Sequence, residues 1–134
     1  MRKIILPTDF SENAYNALRF ACQLFKYEKS EIILLNTYAD KVYTDENLLS
    51  KELIDELKAV TKTKAEMALN EISTKVHDEF CNPRHKVKYV AAFGDLVDEV
   101  NSLVNSENAD LVIMGTRGAT NDRKLGFGSN TLLV

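Results

Sequence analysis

Three short apolar runs and one alternating stretch, separated by longer stretches with helical periodicity, constrain this chain more than any other feature. Ile4-Ile5-Leu6, Ile32-Ile33-Leu34-Leu35, the Val87-to-Ala91 stretch and Leu111-Val112-Ile113-Met114 each have the length and composition of a strand. Ser11 is placed to cap a helix to about Tyr27, with Ala14, Ala17, Leu18, Ala21, Cys22 and Phe25 on one face. From about Asn47 to Phe80 there is neither Gly nor Pro, and Leu53, Leu57, Val60, Ala65, Ala68, Ile72, Val76 and Phe80 keep helical spacing. Thr61-Lys62-Thr63 marks a kink or break in that stretch, and Asn82-Pro83-Arg84 ends it. Asp95 opens a third helix to about Asn105, with Val97, Val100 and Val104 inward.

The resulting order, β-α-β-α-β-α-β, implies a doubly wound α/β fold: a parallel sheet with helices on both faces. Strands one, two and four are continuous apolar runs, as strands covered on both faces are. Strand three sets Lys86 and Lys88 between Val87, Tyr89 and Ala91, the pattern of an edge. A strand order of 3-2-1-4 satisfies both patterns. Its switch point lies between strands one and four, and ligands of such sheets bind there, outside the carboxyl ends of the strands. The loops that meet at that point are Pro7 to Ser11 and Gly115 to Ser129.

The second of those loops holds most of the chain's glycine. None occurs before residue 94, and four of the five lie between 115 and 128. The spacing is Gly115-x-x-Gly118-x₉-Gly128-Ser129, with Gly126 as a spacer. Glycine lets a ligand approach the backbone closely, so converging N–H groups here would suit phosphate oxygens. Ser129, Asn130 and Thr131 are read as a helix start, whose dipole favours an anion by about 0.3–1 kcal/mol. Arg117 is placed to pair with a phosphate; Arg123 and Lys124 read as solvated. No Gly-Lys-Ser/Thr of a P-loop is present, and Gly126-Phe-Gly128 lacks the third glycine of a dinucleotide fingerprint. Across the switch point, Asp9 either meets the sugar side or a phosphate-bound metal, or caps its own turn. Thr37 flanks the same mouth.

The chain contains 134 residues, enough for one domain with a sizeable core. A net charge of -3 offers no bulk attraction to nucleic acid. No apolar run nears the roughly 20 residues of a membrane helix. Cys22 and Cys81 lack a CxxC spacing and suit a reducing, cytoplasmic compartment, with Cys22 buried. His77 and His85 have no ligand partner at metal spacing and are expected to be solvated. No Gly-x-Ser-x-Gly elbow or general base stands out, so no catalytic residue is assigned.

Ile4-Ile5-Leu6-Pro7-Thr8-Asp9-Phe10-Ser11 resembles the opening of the universal stress protein family. Leu111 to Gly118 is similar to that family's fourth strand and loop, and the Gly-x₂-Gly-x₉-Gly-Ser spacing resembles its ATP-binding branch. Gly94 also falls where the family usually has a glycine. The resemblance covers essentially the whole chain. It implies an adenine-nucleotide alpha-hydrolase-like fold that binds ATP, or ADP or AMP, and leaves open a divalent cation on the phosphates. By position, Pro7, Asp9 and Thr37 would line the adenine–ribose side. Met114, Gly115, Thr116, Arg117 and Gly118 would shape the ribose and phosphate turn. Gly128, Ser129, Asn130 and Thr131 would cradle the phosphates.

The resemblance thus implies a cytoplasmic stress-response protein that uses the nucleotide as a switch, with little or no hydrolysis. Its partners would be a second copy of the chain or a second tandem domain. Thr37 and Asn130 stand where the family often has small aliphatic residues, which keeps two alternatives open: a dimerisation or interaction domain without nucleotide, and a slow nucleotide hydrolase. Residues 1–134 read as one domain, C-terminally incomplete. The family continues into a fifth strand, whereas this chain reaches Val134 within the expected last helix. Strand four is therefore expected to be an uncovered apolar edge.

Overall fold

The computed structural model describes residues 1–38, 51–115 and 131–133. Among the described residues, five strands form a parallel sheet flanked by three helices. These are β1 (Arg2–Pro7), α1 (Glu12–Leu24), β2 (Ser30–Thr37), α2 (Lys51–Phe80), β3 (His85–Ala92), α3 (Leu96–Glu107), β4 (Leu111–Met114) and β5 (Thr131–Leu133). The order across the sheet is β3-β2-β1-β4-β5, and all four neighbouring pairs run parallel.

The order 3-2-1-4 follows from burial. Alternate residues of the central strands face opposite layers, and both layers are dry. Ile4, Leu6, Ile32, Leu34 and Ile113 pack with Ala17, Leu18, Ala21 and Cys22 of α1 and with Leu69 and Val76 of α2. Ile5, Ile33, Leu35, Val112 and Met114 pack with Leu96, Val100, Leu103 and Val104 of α3. Val100 and Val104 face inward as expected, joined by Leu96 and Leu103 in place of Val97.

The fifth strand corrects the sequence reading. Thr131, Leu132 and Leu133 pair with Val112, Ile113 and Met114, so Thr131 does not open a helix and β4 is not an edge. Extending these three residues along the open apolar edge of β4 satisfies backbone groups on both strands at once.

Two further expectations change. The helix from Lys51 to Phe80 is unbroken through Thr61 and Thr63, whose hydroxyls donate back to the carbonyls of Leu57 and Ala59 at 2.7 and 3.0 Å. Its 30 residues run about 45 Å, against about 26 Å for an eight-residue strand. The N-terminal half therefore overhangs the sheet, and Leu53, Leu57 and Val60 are exposed rather than inward. His85 is half-buried rather than solvated, with Nε2 2.8 Å from the Phe25 carbonyl oxygen. His77 is exposed, as expected.

Ion pairs tie the elements together. Tyr15 donates to Glu79 at 2.8 Å and Arg19 pairs with the same carboxylate at 2.8 Å, clamping α1 to α2. Lys88, read as part of a wetter edge face, lies 3.0 Å from the buried Glu31 carboxylate and 2.6 Å from Glu107 at the end of α3. Glu31 Oε1 accepts no well-aligned hydrogen bond, so the Lys88 ammonium is its compensation. Among the described residues, no helix is long and apolar enough to cross a membrane.

Candidate functional site

The β1–β2 ladder continues to Pro7↔Leu35, whereas the β1–β4 ladder ends at Ile5↔Val112. Past Val112 the carboxyl ends of β1 and β4 are no longer laddered, and this is where the crossovers reverse direction. A crevice between the two strand ends follows from the topology.

The residues around it are set by local chemistry. Thr8 and Asp9 leave β1 in a turn held by side chains: Thr8 Oγ1 accepts from the Phe10 N–H at 3.1 Å, and Asp9 Oδ1 from the Ser11 N–H at 3.0 Å. Ser11 Oγ then accepts from the Ala14 N–H at 3.1 Å as the N-cap of α1. The turn forces Phe10 to φ 66°, a left-handed conformation that a side chain adopts at a cost of about 1–2 kcal/mol. Asn36 Nδ2 donates to the Thr8 carbonyl at 2.9 Å and ties the turn to β2. Asp9 thus has the self-capping role that the sequence left open, at the mouth of the sheet.

Pro7, Thr37 and Met114 stand on the α3 side of the sheet, each two residues beyond a member of that core layer: Ile5, Leu35 and Val112. Pro7 is buried, Met114 is 7% exposed and Thr37 is half-buried. Beyond Thr37, Tyr38 meets Phe93 edge-to-face at 5.6 Å, and Lys58 Nζ lies 4.1 Å from the Phe93 ring centroid.

Gly115 is required by a close approach. A Cβ there would lie 2.6 Å from Asn13 Nδ2 and 3.2 Å from the Asn13 carbonyl oxygen, in the first turn of α1. The glycine lets β4 exit directly against the start of α1, beside the Asp9 turn. Gly94 permits a similar approach after β3, where a Cβ would meet the Glu99 carboxylate at 2.5 Å.

The structure therefore gathers Pro7, Asp9, Thr37, Met114 and Gly115 at one end of the sheet. Thr116, Arg117, Gly118, Gly128, Ser129 and Asn130 lie outside the described residues, and Thr131 pairs with Val112 in the sheet. Sequence reasoning did not single out Thr8, Asn13 or Asn36. The Thr8-Asp9-x-Ser11 run could have indicated consecutive side-chain turns, but nothing in the sequence marks Asn13 or Asn36. Among the described residues, no three His, Cys, Asp or Glu side chains gather as a metal site.

These features define a doubly wound α/β domain with a crevice at its switch point. The chain belongs to the universal stress protein family, whose family model matches residues 1–132. It is similar to the universal stress protein MJ0577 of Methanocaldococcus jannaschii, with 28% identity over 141 residues, 97% of this chain and 85% of that protein. The solved MJ0577 structure matches with a TM-score of 0.74 over 99% of this chain and 94% of that chain. Two more distant structures share the fold. One is a universal stress protein in complex with cAMP, at 17% identity and TM-score 0.67, covering 99% of this chain and 95% of that one. The other is an Arabidopsis thaliana family member with AMP bound, at 15% identity and TM-score 0.61, covering 99% and 92%.

Proposed function

We propose that this chain is a cytoplasmic stress-response protein that binds ATP, or another adenine nucleotide, as a switch. The observation that carries this reading is the end of the β1–β4 ladder at Ile5↔Val112, with the Asp9 turn and Gly115 beyond it at the switch point. Fold relatives solved with cAMP and with AMP support an adenine ligand. The described residues suit such a ligand. Pro7 and Met114 offer apolar surface to a flat base, and Thr37 and Asp9 offer oxygen acceptors to the base and sugar.

Met114 and Gly115 start the phosphate turn, which Thr116, Arg117 and Gly118 continue. Gly128, Ser129 and Asn130 complete the cradle through backbone N–H and side-chain donors. Thr131 is held in β5 and is no helix-start donor. Asp9 Oδ1 already holds the Ser11 N–H, so it acts as a turn and binding group rather than a general base, and hydrolysis is slow or absent. Phosphate contacts act on the 119–127 loop, and a second copy or a tandem domain reads the resulting state.

Isothermal titration calorimetry with ATP, ADP, AMP and cAMP tests the reading. Saturable binding of at least one is expected, lost in Gly118→Val and Gly128→Val, with no multiple-turnover phosphate release. No heat with any of the four, or equal heat from both variants, refutes it.

A further inference from the structure

A cleft of about 420 Å³ opens at the end of the sheet remote from the crevice, where α1 and α2 finish. Both cysteines line it: Cys22 is buried, and Cys81 is exposed. Asn82 shapes the rim, donating through Nδ2 to the Lys26 carbonyl and accepting through Oδ1 from the Arg84 N–H, each at 2.9 Å. Lys26 Nζ lies 4.9 Å from the Tyr27 ring centroid. Among the described residues no carboxylate pairs with Lys26 or with the Arg84 guanidinium, although the chain as a whole is acidic. Two uncompensated cations, an aromatic face and an accessible thiol thus share one concave surface.

We propose that this cleft is a thiol-exchange site, where Cys81 is modified by a small anionic disulfide of the glutathione class whose carboxylates are held by Lys26 and Arg84. The volume falls within the range of small-molecule sites, but the cleft is shallow and covers little of an occupant. Reversible affinity is therefore weak, and a covalent bond gives residence. Cys81 gives its proton to solvent, and its thiolate attacks one sulfur of the disulfide. The Cys81 Sγ–S bond forms as the reagent's S–S bond breaks, and the departing thiolate takes up a proton. Cys81 is oxidised and one half of the reagent is reduced. Burial, aided by the Glu79 charge, pushes the Cys22 thiol up to about 11, so it stays protonated and does not attack the adduct. The site lies opposite the nucleotide crevice and does not rest on that reading.

The test is incubation of the chain with glutathione disulfide, followed by intact-mass analysis and peptide mapping. One glutathionyl group is expected, on Cys81, and none in Cys81→Ser with its urea midpoint unchanged. The double variant Lys26→Ala/Arg84→Ala should react about tenfold more slowly, while neutral hydroxyethyl disulfide modifies both proteins at equal rates. Loss of two hydrogens through a Cys22–Cys81 bond, an adduct on Cys22, no adduct, or an unslowed double variant overturns the proposal.

Discussion

Replacing Gly115 by valine probes the joint between β4 and α1. The Cβ alone would lie 2.6 Å from Asn13 Nδ2 and 3.2 Å from the Asn13 carbonyl oxygen. The amide is the end of a flexible side chain and can swing away; the carbonyl belongs to the first turn of α1 and cannot move without it. Alanine therefore asks only for a few tenths of an ångström. Its strain is offset by the about 0.4–1 kcal/mol that losing a glycine removes from unfolded-chain entropy, so Gly115→Ala should stay within about 0.5 kcal/mol of the parent. Valine adds two γ carbons to the same space, for which overpacking costs about 1–3 kcal/mol. After the entropic offset, a net loss of about 1–2 kcal/mol is expected. With a urea m-value of about 2 kcal/mol/M, the unfolding midpoint should fall by about 0.5–1 M. The assay is equilibrium urea denaturation of parent, alanine and valine variants, with ATP calorimetry on each under native conditions. The valine variant should also bind more weakly, because α1 and the start of the 115–129 loop shift together. An unchanged midpoint for Gly115→Val would refute the claim that this glycine is required by α1.

Cys81 sits at φ 41° just past the end of α2, with its N–H donating to His77, where a helix terminus favours glycine. Cys81→Gly should raise stability by about 1 kcal/mol, read as an increased urea midpoint. The Lys88 ammonium holds the Glu107 carboxyl below the usual carboxylate range. The stability this contributes is present above the ordinary carboxylate pKa and is lost as pH falls through the lowered folded value. Glu107→Gln should therefore flatten the acid limb of a stability–pH profile. Burial, with the Glu79 hydrogen bond second, raises the Tyr15 hydroxyl to about 12. Its contribution is present below the ordinary value of 10 and is lost as pH rises through about 12; Tyr15→Phe should remove that alkaline dependence.

The apolar runs and helical faces made most of the fold legible, because a strand dry on both sides and a helix dry on one leave different spacings in the chain. Half of the candidate site was legible for a simpler reason: Asp9 and Gly115 directly follow strands whose order could be deduced. The packing of Gly115 on Asn13, the tie from Asn36 to Thr8, and the clamp of Lys88 on Glu31 and Glu107 were not, since each joins residues from different elements.

By itself the sequence determined the alternation of strand and helix, the order 3-2-1-4 and the membership of the universal stress protein family. Only the tertiary structure decided the fate of Thr131, Leu132 and Leu133. Threonine and leucine carry too little intrinsic preference to choose between helix and strand. The unpaired N–H and C=O groups of an apolar β4 edge made the choice.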